Sequence, residues 1–248
     1  MLKSQIILNN NIQLNQDYEL SGETFQSLQL WEPHRGEIVS IQDISSESFR
    51  ARITELSSEK AIVHVFDRKK TAGENKLKIM LHQALPEKER MEWIIQKTTE
   101  LGVHTIVPFK SQRSISLEQR EQKQKKAHCW PQIALRAAKQ CRRPDIPRIL
   151  PFCTFQESLH FAQPSQVRIF LWEKPSGGDN LGDLLHKNLS AKKISLMIGP
   201  EGGFSDQELV LARQAGFNPV NLGPRILRTE TVPVVVLSIL QFMLGDIK

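Results

Sequence analysis

The sequence predicts two domains, a small β-barrel followed by an α/β domain, on three observations. Residues 38–66 contain short strand patterns separated by polar turns. From Leu77 onward, strand and helix patterns alternate, which is typical of an α/β domain. A charged segment, residues 67–75, separates the two regions. We therefore predict a first domain over residues 1–73 and a second over residues 74–248.

The strand patterns of the first domain are short and rich in β-branched and aromatic residues, which favour strands. They are Ile38–Ile41, Phe49–Ile53 and Ala61–Phe66. Several short strands with turns at close intervals predict a small barrel.

The composition is that of an ordinary globular protein, with 40% hydrophobic and 24% charged residues. The three Cys residues form no Cys-x-x-Cys motif, which fits a reducing cytoplasm, and no His/Cys cluster has metal-site spacing. The amino terminus does not resemble a signal peptide. The longest apolar segment, residues 232–244, is too short to span a bilayer. We expect a cytoplasmic protein with no metal and no membrane partner.

Two Gly/Pro-rich loops, residues 198–205 and 222–231, are the main candidates for a functional site. Each follows a short apolar run and precedes a helical pattern, so both loops should lie at the carboxyl ends of strands. Open α/β sheets bind ligands at that edge. A single loop of this kind is usually an ordinary strand-to-helix turn, but two of them favour one shared pocket.

The first loop begins after the apolar run at residues 193–198, which predicts a buried strand. Its glycines, Gly199, Gly202 and Gly203, are expected to permit positive φ and a close approach of the backbone to a ligand. Residues 205–208 form a capping-box sequence that predicts the start of a helix. Gly216 predicts the end of that helix.

The loops also restrict the class of ligand. Neither a P-loop nor a GxGxxG motif is present, so a nucleoside triphosphate and a dinucleotide are both disfavoured. Backbone N–H and C=O groups beside Leu and Ile side chains suit a neutral heterocycle against an apolar wall.

The second domain resembles the RsmE family, SPOUT-superfamily enzymes that methylate N3 of a uridine in small-subunit ribosomal RNA. Besides the two loops, the matching segments are Lys88–Val103, Ile106–Pro108, Ser111–Ser114, Ala137–Arg143 and Ile146–Pro147. The resemblance extends, in order, over about residues 76–248.

This resemblance implies a SPOUT-type trefoil-knotted α/β methyltransferase domain preceded by a PUA-like RNA-binding barrel, usually in a homodimer. It implies S-adenosyl-L-methionine as cofactor and the 16S ribosomal RNA of the small ribosomal subunit as substrate. The cofactor-binding residues implied are Leu171, Ile198, Gly199, Pro200, Glu201, Gly202, Gly203, Leu222, Gly223, Ile226, Leu227, Arg228 and Thr231.

A basic stripe supports an RNA substrate. Residues 110–148 contain eleven Lys/Arg and three acidic residues, in a chain whose net charge is +6. Such a density of positive charge attracts a phosphate backbone through counterion release. A solvated helix face is the alternative, above all for Gln119–Lys126. The candidate RNA-binding residues are Arg113, Arg136, Lys139, Arg142 and Arg143.

Three residues are candidates for catalysis at uridine N3, which must lose its imide proton. A cation near the uracil oxygens would stabilise the developing negative charge. Arg228 is the first candidate for that cation and Arg113 the second, while Glu230 could accept the proton or orient Arg228. Alternatively, Glu230 has only a structural role, as a carboxylate that the helix dipole favours at the first turn of the last helix. Arg228 would then be its ion-pair partner.

Two other functions are compatible with the sequence. One is a SPOUT methyltransferase that acts on another RNA position, such as a ribose 2′-hydroxyl. The other is a catalytically inactive relative that only binds ribosomal RNA. The glycines of both loops argue against an inactive site, which would not need them.

Overall fold

A computed structural model of the protein describes residues 4–69, 77–86, 90–115, 129–173 and 179–247. The chain groups into two compact units, the first comprising residues 1–74 and 138–146 and the second residues 75–137 and 147–248. The Lys/Gln-rich run at Gln119–Lys126 lies outside the described residues. Within these residues, no helix combines the length and hydrophobicity needed to cross a membrane.

The first unit is built on a curled sheet with the strand order β1-β3-β4-β5-β2. Its elements are β1 Ile6–Ile7, β2 Asp17–Ser21, α1 Gly22–Gln29, β3 Ile38–Gln42, β4 Ser48–Leu56 and β5 Lys60–Lys69. The three predicted strands are confirmed as β3, β4 and β5. The sequence patterns missed β1, β2 and α1.

Alternating side chains of these strands form the core of the first unit. Val39, Ile41, Ala51, Ile53 and Val63 are all at most 8% exposed. Because successive side chains of a strand point to opposite faces, they cover one face of the sheet. The β4–β5 pairing shifts register twice, and such irregularities increase the local twist and bend the strands.

Polar contacts connect residues 138–146 to the rest of the first unit. The carboxylate of Asp145 accepts hydrogen bonds from Ser4 Oγ at 3.2 Å and from Gln5 Nε2 at 2.9 Å. Ser4 Oγ in turn accepts from the backbone N–H of Ile146 at 3.0 Å. A short segment from the middle of the sequence therefore completes the unit formed mostly by the chain's beginning.

The second unit is an α/β structure whose parallel sheet has the order β11-β13-β10-β12-β6-β7-β8, with β9 also paired to β7. Its strands are β6 Lys78–Ala84, β7 Thr105–Lys110, β8 Arg148–Ile149, β9 Cys153–Thr154, β10 Val167–Leu171, β11 Asp179–Asn180, β12 Lys193–Ile198 and β13 Asn218–Asn221. The helices are α2 Arg90–Glu100, α3 Trp130–Gln140, α4 Phe155–Phe161, α5 Leu181–His186, α6 Asp206–Gln214 and α7 Thr231–Leu244. The predicted alternation of strands and helices is confirmed.

The two Gly/Pro-rich loops leave the sheet on either side of β10. On one side β10 pairs with β12, Val167 opposite Ile194, and on the other with β13, Ile169 opposite Asn218. All three strands are parallel, so their carboxyl ends lie at one edge. The first loop follows β12 and the second follows β13, as predicted.

The helices that follow the loops begin as the sequence indicates. Ser205 and Glu208 form a reciprocal capping box at the start of α6. Gly216, with φ of 79°, follows the end of this helix. Pro233 lies in the first turn of α7, where its missing N–H is not needed.

A buried polar network around His82 lies inside the second unit. The His82 ring is fully buried, with Nδ1 2.8 Å from Ser158 Oγ and Nε2 3.1 Å from Ser195 Oγ. Ser195 Oγ also lies 2.9 Å from Ser165 Oγ. Burial lowers the pKa of His82 to about 3, so the ring is neutral in the folded protein.

This pKa predicts a pH-dependent stability. An unfolded histidine titrates near pH 6.5, so between pH 6.5 and 3 the unfolded chain binds the additional proton. The free energy of unfolding should therefore fall as pH falls through this window, by up to about 1.4 kcal/mol per pH unit from this residue. Urea unfolding at several pH values measures this effect. The free energy of unfolding of His82→Gln should depend less steeply on pH than that of the unchanged protein.

His160→Gln is the matched control for this measurement, because it removes an exposed histidine of the same unit. It should leave the steep part of the pH dependence in place. An equally steep dependence in His82→Gln would mean that another group causes the acid sensitivity.

Candidate cofactor and catalytic site

The two loops and the end of β10 enclose a cavity of about 430 Å³. Its size and its mixture of backbone and apolar groups are typical of a small-molecule site. In the described part of the chain, no group of His, Cys, Asp and Glu side chains could hold a metal ion.

Most of the cofactor-binding residues named from sequence line this cavity. These are Leu171, Ile198, Gly199, Pro200, Glu201, Gly203, Leu222, Gly223, Ile226, Leu227 and Arg228. Two of the named residues, Gly202 and Thr231, are not among the lining residues. The lining residues that sequence reasoning did not assign to the site are Arg90, Trp172, Glu173, Phe204, Asn221, Pro224, Arg225, Thr229 and Val232.

The three glycines of the first loop differ in whether they use the positive φ that the sequence permits. Among these glycines only Gly203 has positive φ, at 67°; in the second loop Gly223 has φ of 97°. A Cβ on Gly199 would lie 3.1 Å from the Phe204 ring, and one on Gly202 would lie 3.3 Å from Arg113 Cβ. Gly199 and Gly202 thus allow close packing behind the loop instead of an unusual backbone conformation.

Thr229 joins the two loops. Its hydroxyl donates a 2.6 Å hydrogen bond to the carbonyl of Gly199. Gln83 of β6, which is fully buried, donates through Nε2 to Thr229 Oγ1 at 3.2 Å. This buried chain of hydrogen bonds fixes the separation of the cavity's two sides.

The Ser111–Ser114 segment supports the first loop from outside the cavity. The buried carboxylate of Glu208 accepts from Ser111 Oγ at 2.8 Å and from the Gln112 backbone N–H at 2.9 Å, in addition to its capping contacts. Arg113 donates from Nη1 to the carbonyl of Gly202 at 2.9 Å. Arg113 is not among the residues lining the cavity, and its described contact is with the loop backbone.

Arg228 and Glu230 both line the cavity, but they do not form the pair considered from sequence. Glu230 pairs instead with Arg90, whose Nε lies 3.5 Å from Glu230 Oε1. The same guanidinium forms an ion pair with Glu201 of the first loop. Arg228 is exposed, and among the described residues it has no ion-pair partner. The interpretation of Arg228 and Glu230 as a structural pair is therefore wrong.

The two carboxylate oxygens of Glu230 differ in their partners. Oε1 is the atom close to Arg90. Oε2 is buried and has no hydrogen-bond partner within the described residues. A buried oxygen without a donor is costly to leave unsatisfied, so a ligand that brings an N–H or O–H group would stabilise it.

Three of the basic candidates belong to the first unit. Lys139 pairs with Glu37 at 2.9 Å, which offsets its charge. Arg142 and Arg143 line a second cavity, of about 220 Å³, together with Arg50 and the apolar side chain of Trp31. Arg136, in the second unit, is exposed on α3.

The end of α3 explains how Arg142 and Arg143 are held. Arg143 N–H bonds to the carbonyl of Ala138 at 3.0 Å and Arg142 N–H to that of Lys139 at 3.2 Å, as in a Schellman motif. Arg142 occupies the left-handed position, with φ of 58°, that glycine usually takes. An arginine there carries a conformational cost of about 1–2 kcal/mol.

Comparison with known proteins identifies the family. A family model described as RNA methyltransferase domain matches residues 73–241. The ribosomal RNA small subunit methyltransferase E of Buchnera aphidicola (subspecies Acyrthosiphon pisum) is 32% identical over 98% of this chain and 95% of its own.

Two solved structures resemble this one over nearly the full length. A putative methyltransferase from Legionella pneumophila, in complex with the bound cofactor SAM, has a TM-score of 0.68 and 32% identity, with 99% of both chains covered. A ribosomal RNA small subunit methyltransferase E from Neisseria gonorrhoeae, bound to S-adenosyl methionine, has a TM-score of 0.69 and 29% identity, with 98% of both chains covered. These likenesses confirm the fold class, a PUA-like barrel followed by a SPOUT-type α/β domain. The chain belongs to the ribosomal RNA small subunit methyltransferase E family.

Proposed function

We propose that this protein methylates N3 of a specific uridine in 16S ribosomal RNA, with S-adenosyl-L-methionine as cofactor. The observation that carries the proposal is the single cavity formed by both glycine-containing loops, with a cation and an incompletely satisfied carboxylate in its lining. The family membership supports the substrate class.

The lining of the cavity suits the cofactor chemically. Positive φ at Gly203 and Gly223 lets the backbone approach a ligand without a Cβ in the way. Leu171, Ile198 and Leu227 offer an apolar wall to a heterocycle. When bound, S-adenosylmethionine supplies an activated methyl group as a sulfonium.

Glu230 and Arg228 are proposed to act on the uracil. Methylation of N3 requires its imide proton to leave, and Glu230 Oε2, buried and without a partner in the described structure, can accept it. Loss of that proton spreads negative charge onto the uracil oxygens. Arg228, in the same cavity and without an ion-pair partner among the described residues, stabilises this charge.

The first unit is proposed as an RNA-binding domain, with its boundary near residue 74; the family match beginning at residue 73 supports this division. Arg142 and Arg143 are proposed to contact the RNA backbone. Together with Arg50 they line one cavity, a concentration of guanidinium groups suited to a phosphate of the RNA backbone. The strained conformation of Arg142 supports a functional reason for its charge.

Arg142→Gly is expected to change stability and RNA affinity in opposite directions. Glycine relieves the left-handed conformation, so the free energy of unfolding should rise by about 1 kcal/mol. Loss of the guanidinium should weaken RNA binding and reduce the slope of log affinity against log salt by about one. Urea unfolding and RNA titrations at several salt concentrations measure the two effects.

Arg142→Ala separates the two causes, because it removes the charge but keeps the strained backbone. It should weaken RNA binding as much as Arg142→Gly without stabilising the protein. Unchanged salt slopes in both variants would show that Arg142 faces solvent in the RNA complex.

We further propose a cytoplasmic homodimer that acts on the small ribosomal subunit. The apolar surface of α7 supports the dimer: Phe242 is 69% exposed, and Val235, Ile239 and Met243 are only partly buried. Exposed apolar surface of this kind is typical of association surfaces. Sedimentation equilibrium at micromolar concentration tests it, and a monomer there would contradict it.

Nucleoside mass spectrometry of 16S ribosomal RNA, with and without the protein, tests the reaction. The proposal requires 3-methyluridine to appear only when the active protein is present. A new ribose-methylated nucleoside would indicate the 2′-hydroxyl alternative. Absence of any new methylated nucleoside, together with absence of cofactor binding in calorimetry, would indicate an inactive RNA-binding relative.

A further inference from the structure

We infer that Arg90 is a positioning residue that connects the first cofactor loop to the proton acceptor Glu230. This inference rests on the proposed function and names a residue that the sequence resemblance did not assign to the site. Arg90 belongs to α2 and lines the cavity. Its guanidinium forms ion pairs with Glu201 of the first loop and with Glu230, the residue before α7.

The charges around the cavity favour a cation at this position. Glu201 and Glu230 both line the cavity, and two carboxylates in one pocket repel each other less when a cation lies between them. A planar guanidinium can bind both at once through separate N–H groups, which an ammonium group cannot do in a fixed geometry. Arg90 is therefore suited to hold the two acidic side chains, and with them the two sides of the cavity, at a set distance.

The placement of Arg90 points to function more than to helix stability. The side chains of Arg90 and Glu201 are each 30% exposed, and ion pairs at that exposure contribute little to stability. The bridging geometry between two carboxylates gives a functional reason for an arginine at this position.

The ion pair also determines which oxygen of Glu230 is available. Oε1 faces the guanidinium, and Oε2 is the buried oxygen without a described partner. Without Arg90, the Glu230 side chain could rotate and exchange the two oxygens. Arg90 thus acts through Glu230 by fixing the acceptor oxygen, and through Glu201 by fixing the loop.

The test combines cofactor binding with single-turnover methylation. Arg90→Gln should weaken S-adenosylmethionine binding, measured by calorimetry, by no more than about fivefold, as expected for loss of a partly exposed ion pair. It should lower the single-turnover rate at saturating cofactor by about a hundredfold, because misplacement of a reacting group costs that much. Arg90→Lys should recover only part of this rate, since lysine restores the positive charge but not the planar guanidinium that can bind two carboxylates at once.

Double variants identify the residue through which Arg90 acts. If Arg90 positions Glu230, the variant with both Arg90→Gln and Glu230→Gln should be no slower than Glu230→Gln alone. Similarly, adding Glu201→Gln to Arg90→Gln should cause no further loss of cofactor affinity. Independent, additive losses in both cycles would overturn the inference.

Lys97→Gln is the matched control, because it removes an ion pair of the same helix, with Glu100 at 3.0 Å, that does not line the cavity. It should leave both the cofactor affinity and the rate unchanged. A wild-type rate in Arg90→Gln, with cofactor binding intact, would remove Arg90 from the mechanism while the proposed function stands. A wild-type protein that fails to bind the cofactor would overturn both.

Discussion

Arg228→Ala is expected to lower the single-turnover rate of uridine methylation by about a hundredfold to a thousandfold, the usual effect of removing one donor that stabilises transition-state charge. Arg228 lines the cavity and has no ion-pair partner in the described structure, so the structure gives it no competing role. The single-turnover rate at saturating RNA and the rate at low RNA concentration should fall by the same factor, since the interaction forms only as N3 loses its proton. Rapid-mixing methylation assays with purified RNA measure both.

Arg213→Ala is a suitable control, because Arg213 is an exposed arginine near the end of α6 and does not line the cavity. Its rate should equal that of the unchanged protein. Arg228→Lys should be intermediate, with the charge restored but not the planar geometry. A normal rate in Arg228→Ala would exclude Arg228 from the chemical step.

Gly203→Val is expected to weaken S-adenosylmethionine binding by about a hundredfold. A β-branched residue at φ of 67° is strained by about 1–3 kcal/mol, and its Cβ would lie 3.3 Å from Glu173 Oε1 in the cavity lining. The loop can relieve this strain only by moving its backbone, which would displace the surface that we propose the cofactor contacts. Isothermal titration calorimetry measures the affinity, and circular dichroism checks that the variant is folded.

Gly36→Val serves as its control, because Gly36 also has positive φ, at 87°, but belongs to the first unit and lines no part of the cofactor cavity. This variant should lose stability without losing cofactor affinity. If folded Gly203→Val bound the cofactor as tightly as Gly36→Val, the first loop would not be the cofactor loop.

Local patterns in the sequence predicted the features that depend on neighbouring residues. The strand at Lys193–Ile198 and the capping box of Ser205 and Glu208 are determined within a few residues, and both are as expected. The position of the loops followed from the apolar run before each loop and the helical pattern after it, and the edge rule then marked that position as a candidate ligand site. Which glycine takes positive φ did not follow, because all three are compatible with it; the close contact of Gly202 with the distant Arg113 was equally invisible in the local sequence.

Contacts between distant parts of the chain were the ones that sequence reasoning missed. Arg90 faces Glu201 and Glu230, far along the chain, and no local pattern indicates that meeting. Glu208 illustrates the same limit: its role as a cap was predictable, but its bonds to Ser111 and Gln112 were not.

The order of strands in the second unit has a consequence for how the protein is made. The central pairing joins β6 to β12, with Lys78 opposite Lys193, and the second loop lies later still in the chain. Pairings between such distant segments form slowly, because the intervening chain must first be closed into a loop. During synthesis, the cavity cannot form until β13 and the second loop have emerged from the ribosome. A protein whose proposed substrate is ribosomal RNA would therefore gain its proposed activity only after this late segment has been made, whereas the basic residues at 110–148 are made earlier.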